Sequence, residues 1–209
     1  MAELLNQLYE ISPSQIQPPS ELVAFYQWVE KNGLIEEYDG FVYGRISGDW
    51  EETPDVTLTA SYQSGLKYWF DIPEITREIV SRLVVFANSG MDGSMLGMWV
   101  SDDGDLKFVH LGSGSGSRLC CVIANNAVEF LTLLSVGYSA LGSVDDFTLS
   151  PEENGDEPKV NQNFIEWLKV KFNIVTPENG ACFVTTPAEI GDEKTTDPFC
   201  IWCNSQFSK

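Results

Sequence analysis

The chain has 209 residues, 43% of them hydrophobic and 12% aromatic, which is enough apolar material for a folded domain with extensions. The 31 acidic residues outnumber the 12 basic ones, and the formal net charge is -19. Such a surface repels phosphate backbones and anionic lipid headgroups. We therefore expect neither a nucleic acid nor a membrane as partner.

Signals for export or membrane insertion are not apparent. Met1–Ile11 carries two glutamates and no basic residue, unlike the start of a secretory signal. The apolar stretches Leu119–Ala124 and Ala127–Leu141 are too short for a bilayer, and the second contains Glu129. Five cysteines form no pattern of a disulfide framework. We expect a cytoplasmic protein with reduced thiols.

Two helices are predicted near the start of the chain. Met1–Tyr9 forms a short one through three leucines, Leu4, Leu5 and Leu8. Pro19 precedes a second helix over Glu21–Asn32, which we expect Ser20 to cap and Gly33 to end. The apolar side chains of this second helix share one face: Leu22, Phe25, Tyr26 and Val29.

Runs of β-branched and aromatic residues predict strands in the middle of the chain. The first group is Phe41–Ile46, Val56–Ala60 and Leu66–Phe70, followed by a helix from Asp71 through Ile75 and Ile79. A meander follows over Leu83–Ala87, Met95–Val100, Leu106–Leu111 and Arg118–Ala124. The Asp103-Gly104 pair predicts a hairpin turn inside this meander.

Two more helices are predicted in the last third. Asn126 and Glu129 form a capping pair for the first, whose apolar face runs from Phe130 towards Gly142. Asn161 or Asn163 opens the second, with Phe164, Trp167, Leu168 and Phe172 buried. Between them, Ser150–Pro158 is acidic and is interpreted as a linker. The pattern predicts an α+β fold with a central, mostly antiparallel sheet of about six strands and helices packed on one side.

Few residues suggest catalysis or metal binding. The only histidine, His110, lies in a predicted strand, where a Cys–His pair with Cys120 or Cys121 is less plausible than a buried structural role. Cys200 and Cys203 have the C-x-x-C spacing, but zinc needs four ligands, and Cys182 and His110 complete a set only if the fold brings them together. We therefore predict no catalytic residue, no metal and no cofactor.

The order of elements resembles the SUKH superfamily, which contains the Smi/Knr-type domain and many bacterial immunity proteins. Four stretches carry this resemblance: Pro19–Gly33, Phe86–Gly93, Val109–Gly112 with Ala127–Tyr138, and Phe164–Phe172 with Asp197–Trp202. The resemblance implies a SUKH-like core over residues 1–149. Residues 150–209 would then form an acidic linker and a helical extension that packs back on the core.

The resemblance also implies a function, that of a non-enzymatic immunity protein that neutralises a cognate toxin. The alternative is an intracellular Smi/Knr-type scaffold or regulatory module. An acidic inhibitor suits a toxin with a basic surface, such as a nuclease. The densest acidic stretch surrounds one tryptophan, and it gives the predicted partner-binding residues: Glu36, Glu37, Asp39, Asp49, Trp50, Glu51 and Glu52.

Overall fold

The apolar runs in the middle of the chain build a sheet in which each strand pairs antiparallel with the next. The computed structural model describes residues 3–207. The seven strands are β1 (Ile35–Tyr38), β2 (Phe41–Gly44), β3 (Thr57–Leu58), β4 (Leu83–Asn88), β5 (Met95–Val100), β6 (Leu106–Leu111) and β7 (Cys120–Ala124). The predicted α+β class is confirmed, with seven strands where about six were expected.

Seven α-helices accompany the sheet in the described part of the chain. They are α1 (Glu3–Ile11), α2 (Ser20–Lys31), α3 (Leu66–Trp69), α4 (Arg77–Arg82), α5 (Ala127–Val136), α6 (Gln162–Phe172) and α7 (Pro198–Phe207). Short 3-10 turns lie at Trp50–Glu52, Ser61–Gly65 and Leu141–Ser143. Over residues 3–207, the length and apolar character needed to cross a bilayer are not met by any helix.

Helices cover both faces of the sheet, whereas the sequence suggested one. Successive residues of a strand point to opposite faces, so Met98 and Trp99 on β5 face opposite ways. Met98 pairs with Phe108, whose ring stacks on Phe130 of α5 with centroids 4.8 Å apart. Trp99 instead contacts Trp202 of α7, at 5.7 Å. The C-terminal helix therefore packs on the face away from α5.

Two predicted helix boundaries change in the structure. Ser20 does not cap α2, because the helix begins at Ser20 itself and its hydroxyl donates to Glu21 at 3.0 Å. The capping pair of α5 is confirmed, since Asn126 Oδ1 accepts from the Glu129 N–H at 2.9 Å. This helix ends at Val136, earlier than expected, because Gly137 adopts a left-handed conformation with φ +90°.

The predicted strand over Leu66–Phe70 is wrong, and its first four residues form α3. Leu66 and Phe70 lie one helical turn apart, and both are buried. A strand would point Tyr68 to the same side as these two residues, but Tyr68 is 77% exposed. Short apolar runs fit either period, and the preceding 3-10 turn at Ser61–Gly65 leads the chain into helix here.

The acidic segment interpreted as a linker is held to the rest of the chain by hydrogen bonds. The Ser150 N–H donates to Glu153 Oε2 at 2.9 Å, and the Ser139 hydroxyl donates to Asp156 Oδ2 at 2.8 Å. Tyr138 also reaches forward, with its hydroxyl 2.8 Å from the Leu149 carbonyl oxygen. Two of the acidic side chains of this segment, Glu153 and Asp156, are therefore held by hydrogen bonds.

Within residues 3–207, one edge of the sheet is covered by another segment and the other edge is open. Along β7, the Cys120 N–H donates to the Ala188 carbonyl at 2.7 Å, and Asp197 accepts from the Val122 N–H at 3.0 Å. The same carboxylate accepts from the Cys200 N–H at 2.8 Å, so it joins the start of α7 to the sheet. At the other edge, all four residues of β1 are exposed.

Candidate protein-binding surface

The first two strands form a hairpin that projects acidic and aromatic side chains. Its two-residue turn consists of Asp39 and Gly40, with φ values of +51° and +78°. Two positive φ values are typical of the type I′ turn, which Asp-Gly favours. Glu36 and Glu37 lie on β1, and Asp39 lies at the tip of the hairpin. The structure thus exposes all three acidic residues that the sequence analysis selected here.

The loop that follows β2, residues 47–53, is held in shape by hydrogen bonds from its polar side chains to its own backbone. Asp49 Oδ1 accepts from the Glu51 N–H at 2.9 Å and caps the 3-10 turn. The buried Thr53 hydroxyl lies 3.1 Å and 2.9 Å from the carbonyl oxygens of Ser47 and Asp49. These bonds hold Trp50 in place with 57% of its surface exposed.

Arg45 connects the loop to the hairpin. Its guanidinium carbon lies 4.0 Å from the centroid of the Trp50 ring, and Nη1 lies 3.6 Å from Glu36 Oε2. A cation over an indole ring contributes about 0.5–1 kcal/mol at an exposed site. Trp50 is therefore held by Arg45 as well as by its loop, and it is already oriented before any partner arrives.

Two aromatic side chains that the sequence analysis did not select extend this surface. Tyr38 and Phe41 pair directly across the hairpin, and both are exposed, Tyr38 by 73%. Alternation along the strands places them on the same face as Glu36 and Arg45. We call this set the hairpin surface: Glu36, Tyr38, Phe41, Arg45 and Trp50.

Glu51 and Glu52 are turned towards another part of the chain. Glu51 Oε2 accepts from Lys159 Nζ at 2.7 Å, and this hydrogen bond raises the pKa of Lys159. Glu52 Oε2 accepts from the amide of Asn161 at 2.7 Å, and from Ser47 at 3.2 Å. These two carboxylates therefore fix the loop to the chain before α6.

The predicted binding residues consequently fall into separate groups. Glu36 and Trp50 meet through Arg45, while Glu37 lies on the opposite face of β1, beside Val42 and α1. Asp39 and Asp49 lie in the turn and the loop. The sequence signal that could have identified the hairpin surface is Asp39-Gly40, because it marks a turn directly after a possible strand.

The histidine considered for catalysis is buried and neutral. Nδ1 of His110 lies 2.9 Å from the Leu119 carbonyl oxygen, so this nitrogen carries the proton, and Nε2 accepts from the Ser89 hydroxyl at 2.8 Å. Burial lowers the pKa of His110 to about 4. Both ring nitrogens are occupied, so the hypothetical pair with Cys120 or Cys121 does not form. Burial also raises the pKa of the Cys121 thiol.

The glycine-serine segment 112–117 is fixed by one aspartate rather than free. Asp92 accepts from the hydroxyls of Ser94 and Ser113, both at 2.8 Å, and from the N–H groups of Ser94 and Ser117 at 3.0 and 2.8 Å. Partial desolvation acts to raise the pKa of Asp92, but these four hydrogen bonds outweigh it and lower the pKa to about 2. Asp92 therefore joins the β4–β5 turn to the loop before β7.

The C-x-x-C pair lies inside α7 and faces the sheet. Cys200 and Cys203 are buried, and the Cys200 thiol donates to the Glu189 carbonyl at 3.2 Å. A hydrogen bond with Cys120, together with burial, raises the pKa of Cys200. Cys182 is exposed elsewhere. Within residues 3–207, no three His, Cys, Asp or Glu side chains form a group that could hold a metal ion.

Comparison of the chain with protein-family models, with curated proteins and with solved structures finds no match.

Proposed function

We propose that this chain is a non-enzymatic immunity protein, which binds a cognate toxin that presents a basic surface. The observation that carries the proposal is the hairpin surface, in which exposed aromatic rings and an arginine lie among carboxylates. Aromatic and arginine side chains are the residues most often found at the energetic centre of protein interfaces. The resemblance to the SUKH superfamily supplies the class of partner.

The charge distribution supports a basic partner. The acidic residues around the hairpin are exposed, and Arg45 is the only basic residue between Gly33 and Ser61. Unlike charges accelerate encounter and exclude partners of the wrong sign. In a toxin that acts on nucleic acid, these carboxylates would occupy the positions that substrate phosphates take in the groove.

In this proposal the chain inhibits the toxin by binding to it, and no chemical step is involved. The carboxylates steer the two proteins together, and desolvation of Trp50, Tyr38 and Phe41 then slows dissociation. Because Trp50 is already oriented by Arg45, little side-chain entropy is lost when the complex forms.

Co-expression tests this proposal directly. The gene immediately upstream of the one encoding this chain is expressed in a bacterial host, alone and together with this chain. We expect the upstream product to be toxic alone and harmless with the wild-type chain. Toxicity that persists contradicts the proposal and favours the alternative, a scaffold or regulatory module of the Smi/Knr type.

A further inference from the structure

The open edge of the sheet presents unused backbone groups. The Arg45 N–H donates to the Leu34 carbonyl at 3.0 Å, so these residues form a hydrogen-bonded pair across the hairpin. In an antiparallel ladder such pairs alternate, which leaves Ile35 and Glu37 with N–H and C=O groups that point out of the sheet. Val42, opposite Glu37, agrees with this pattern, because its N–H points away from β1 and donates to Gln7 at 3.1 Å.

These outward groups lack partners within the described chain. The sheet order ends at β1, and none of the residues 3–207 bonds to the outward N–H or C=O of Ile35 and Glu37. The opposite edge, β7, is covered by the segment that contains Ala188 and Asp197. The protein thus covers one edge of its sheet and leaves the other available.

We infer that β1 is a docking edge, to which an extended segment of the partner adds as an eighth strand. Main-chain hydrogen bonds to Ile35 and Glu37 would set the register, as in other cases of strand addition. This inference rests on the proposed function, because it specifies how the partner of the same surface binds.

The surroundings of β1 define the side chains of the incoming strand. On the α1 side, Glu37 lines a cleft of about 270 Å³ together with Glu3 and Glu10. On the other face lie the exposed rings of Tyr38 and Phe41, beside Glu36, whose carboxylate already pairs with Arg45 at 3.6 Å. Because side chains of a strand alternate between its faces, the complementary segment alternates basic and apolar residues. We therefore commit to a strand with lysine or arginine at every second position.

A second copy of this chain is a poor occupant of the same edge. Pairing β1 with β1 of another molecule would bring Glu36 and Glu37 of both copies together, and like charges across a ladder are destabilising. Natural proteins use charged residues on edge strands to prevent such self-pairing. Here the charge also selects for a partner of opposite sign.

Synthetic peptides test the inference with defined probes. The first is the heptapeptide acetyl-Lys-Val-Lys-Val-Lys-Val-Lys-amide. The second replaces each Lys by Glu, and the third replaces each Val by Pro, which keeps the charge but prevents strand pairing. We expect saturating amounts of the first to slow amide hydrogen exchange of Ile35 and Glu37 at least about tenfold, because both amides become hydrogen-bonded. The other two should leave these rates unchanged.

Each outcome of the peptide experiment either supports or overturns the inference. Equal protection by the proline peptide would show that charge alone holds the probe, and equal protection by the glutamate peptide would show that the edge does not select basic strands. Either result overturns the inference, as does a failure of the first peptide to protect Glu37.

A matched pair of variants tests whether the backbone N–H of Glu37 takes part in binding. Glu37→Pro removes an N–H that the sheet does not use, so an edge strand should tolerate it, whereas Glu37→Gln keeps the N–H and removes the charge. We expect Glu37→Pro to weaken binding of the first peptide by about tenfold or more, and Glu37→Gln to weaken it less.

The same pair separates the two proposals in the co-expression assay. If the wild-type chain does not neutralise the upstream gene product, the proposed function fails. If the wild-type chain neutralises it and Glu37→Pro protects equally well, the proposed function stands and the docking edge is refuted. Loss of protection by Glu37→Pro, with protection retained by Glu37→Gln, supports both.

Discussion

At the scale of single residues, the contact between Arg45 and Trp50 connects structure to the proposed function. A tryptophan that is exposed in the free protein adds little to folding, but it contributes strongly to binding once a partner desolvates it. The ring lies 4.0 Å from the guanidinium, which limits the orientations it samples. We therefore expect Trp50 to act on the lifetime of the complex more than on the stability of the chain.

Substitution of Trp50 tests this expectation. Trp50→Ala should raise the dissociation rate constant at least about tenfold, because a central hot-spot residue is worth roughly 2 kcal/mol or more. The melting temperature should change little. Tyr68→Ala is the matched control, since Tyr68 is an aromatic residue of similar exposure outside the hairpin surface. Surface plasmon resonance against the upstream gene product measures the dissociation rate constants of the two variants. Equal rate constants would contradict the placement of Trp50 in the binding surface.

Asp92 gives a second prediction at this scale, one of pH dependence. Its pKa is about 2 in the folded chain, against about 3.9 for an unfolded aspartate, so the ionised form stabilises the fold. This contribution is fully present above the unfolded pKa and is lost as the pH falls from about 4 to about 2. Because Asp92 is exposed, solvent screening reduces its value to about 1 kcal/mol at pH 7.

Urea unfolding of a variant checks this prediction. Asp92→Asn should lower the free energy of unfolding by about 1 kcal/mol at pH 7, and the difference from wild type should shrink towards pH 2. Asp103→Asn, at an exposed position in the β5–β6 turn, is the control and should show no such trend. A difference that stays constant with pH would refute the role of the charge.

At the scale of elements, α7 is part of the core even though it lies beyond the acidic segment. Phe199 is fully buried, and the Trp202 ring contacts Trp99 and Phe70 with centroids 5.7 Å and 5.9 Å apart. Through these contacts, the last helix of the chain packs against the sheet. The carboxylate of Asp197 holds the start of the helix at the edge of β7.

Neighbouring residues of α7 provide a stability test. Trp202→Ala should reduce the free energy of unfolding by about 3–5 kcal/mol, because it leaves a large cavity. Ile201→Ala is the matched control, since this side chain is half exposed and its loss should cost much less. A chain truncated after Pro187 should melt at a lower temperature than the full chain. A truncated chain with the full melting temperature would contradict the packing described here.

The success of sequence-based prediction differs between elements for physical reasons. The bounds of β5 and β6 agree with the prediction, since apolar runs on either side of an Asp-Gly turn leave little freedom of register. The strand β1 was missed because two of its four residues are glutamates. Leu66–Phe70 was misassigned because a five-residue apolar run fits both strand and helix.

The candidate site was partly accessible from sequence. Local composition identified the acidic stretch and Trp50, and the structure shows that these residues are exposed. The ion pair between Glu51 and Lys159 and the bond between Glu52 and Asn161 join residues more than 100 positions apart. No local pattern predicts such contacts, so the structural role of these two glutamates emerges only from the fold.

At the scale of the whole molecule, the net charge of -19 dominates encounter with a partner. The screening length falls from about 30 Å at 0.01 M salt to about 10 Å at 0.1 M. We expect the association rate constant for the upstream gene product to fall steeply over this range, while the dissociation rate constant changes far less. Stopped-flow mixing at several salt concentrations measures both. An association rate independent of salt would contradict electrostatic steering.

The most direct test of the central claim asks whether the charge acts through the hairpin or through its total alone. Glu36→Lys with Glu37→Lys changes the net charge by the same amount as Glu166→Lys with Glu178→Lys, at exposed positions outside the hairpin. The measurement is the association rate constant of each double variant with the upstream gene product at 0.01 M salt. We predict a reduction of about tenfold or more for the hairpin pair and a much smaller one for the control pair. Equal reductions would show that total charge alone steers association, and no reduction in either variant would show that the partner binds elsewhere. Both results would contradict the claim.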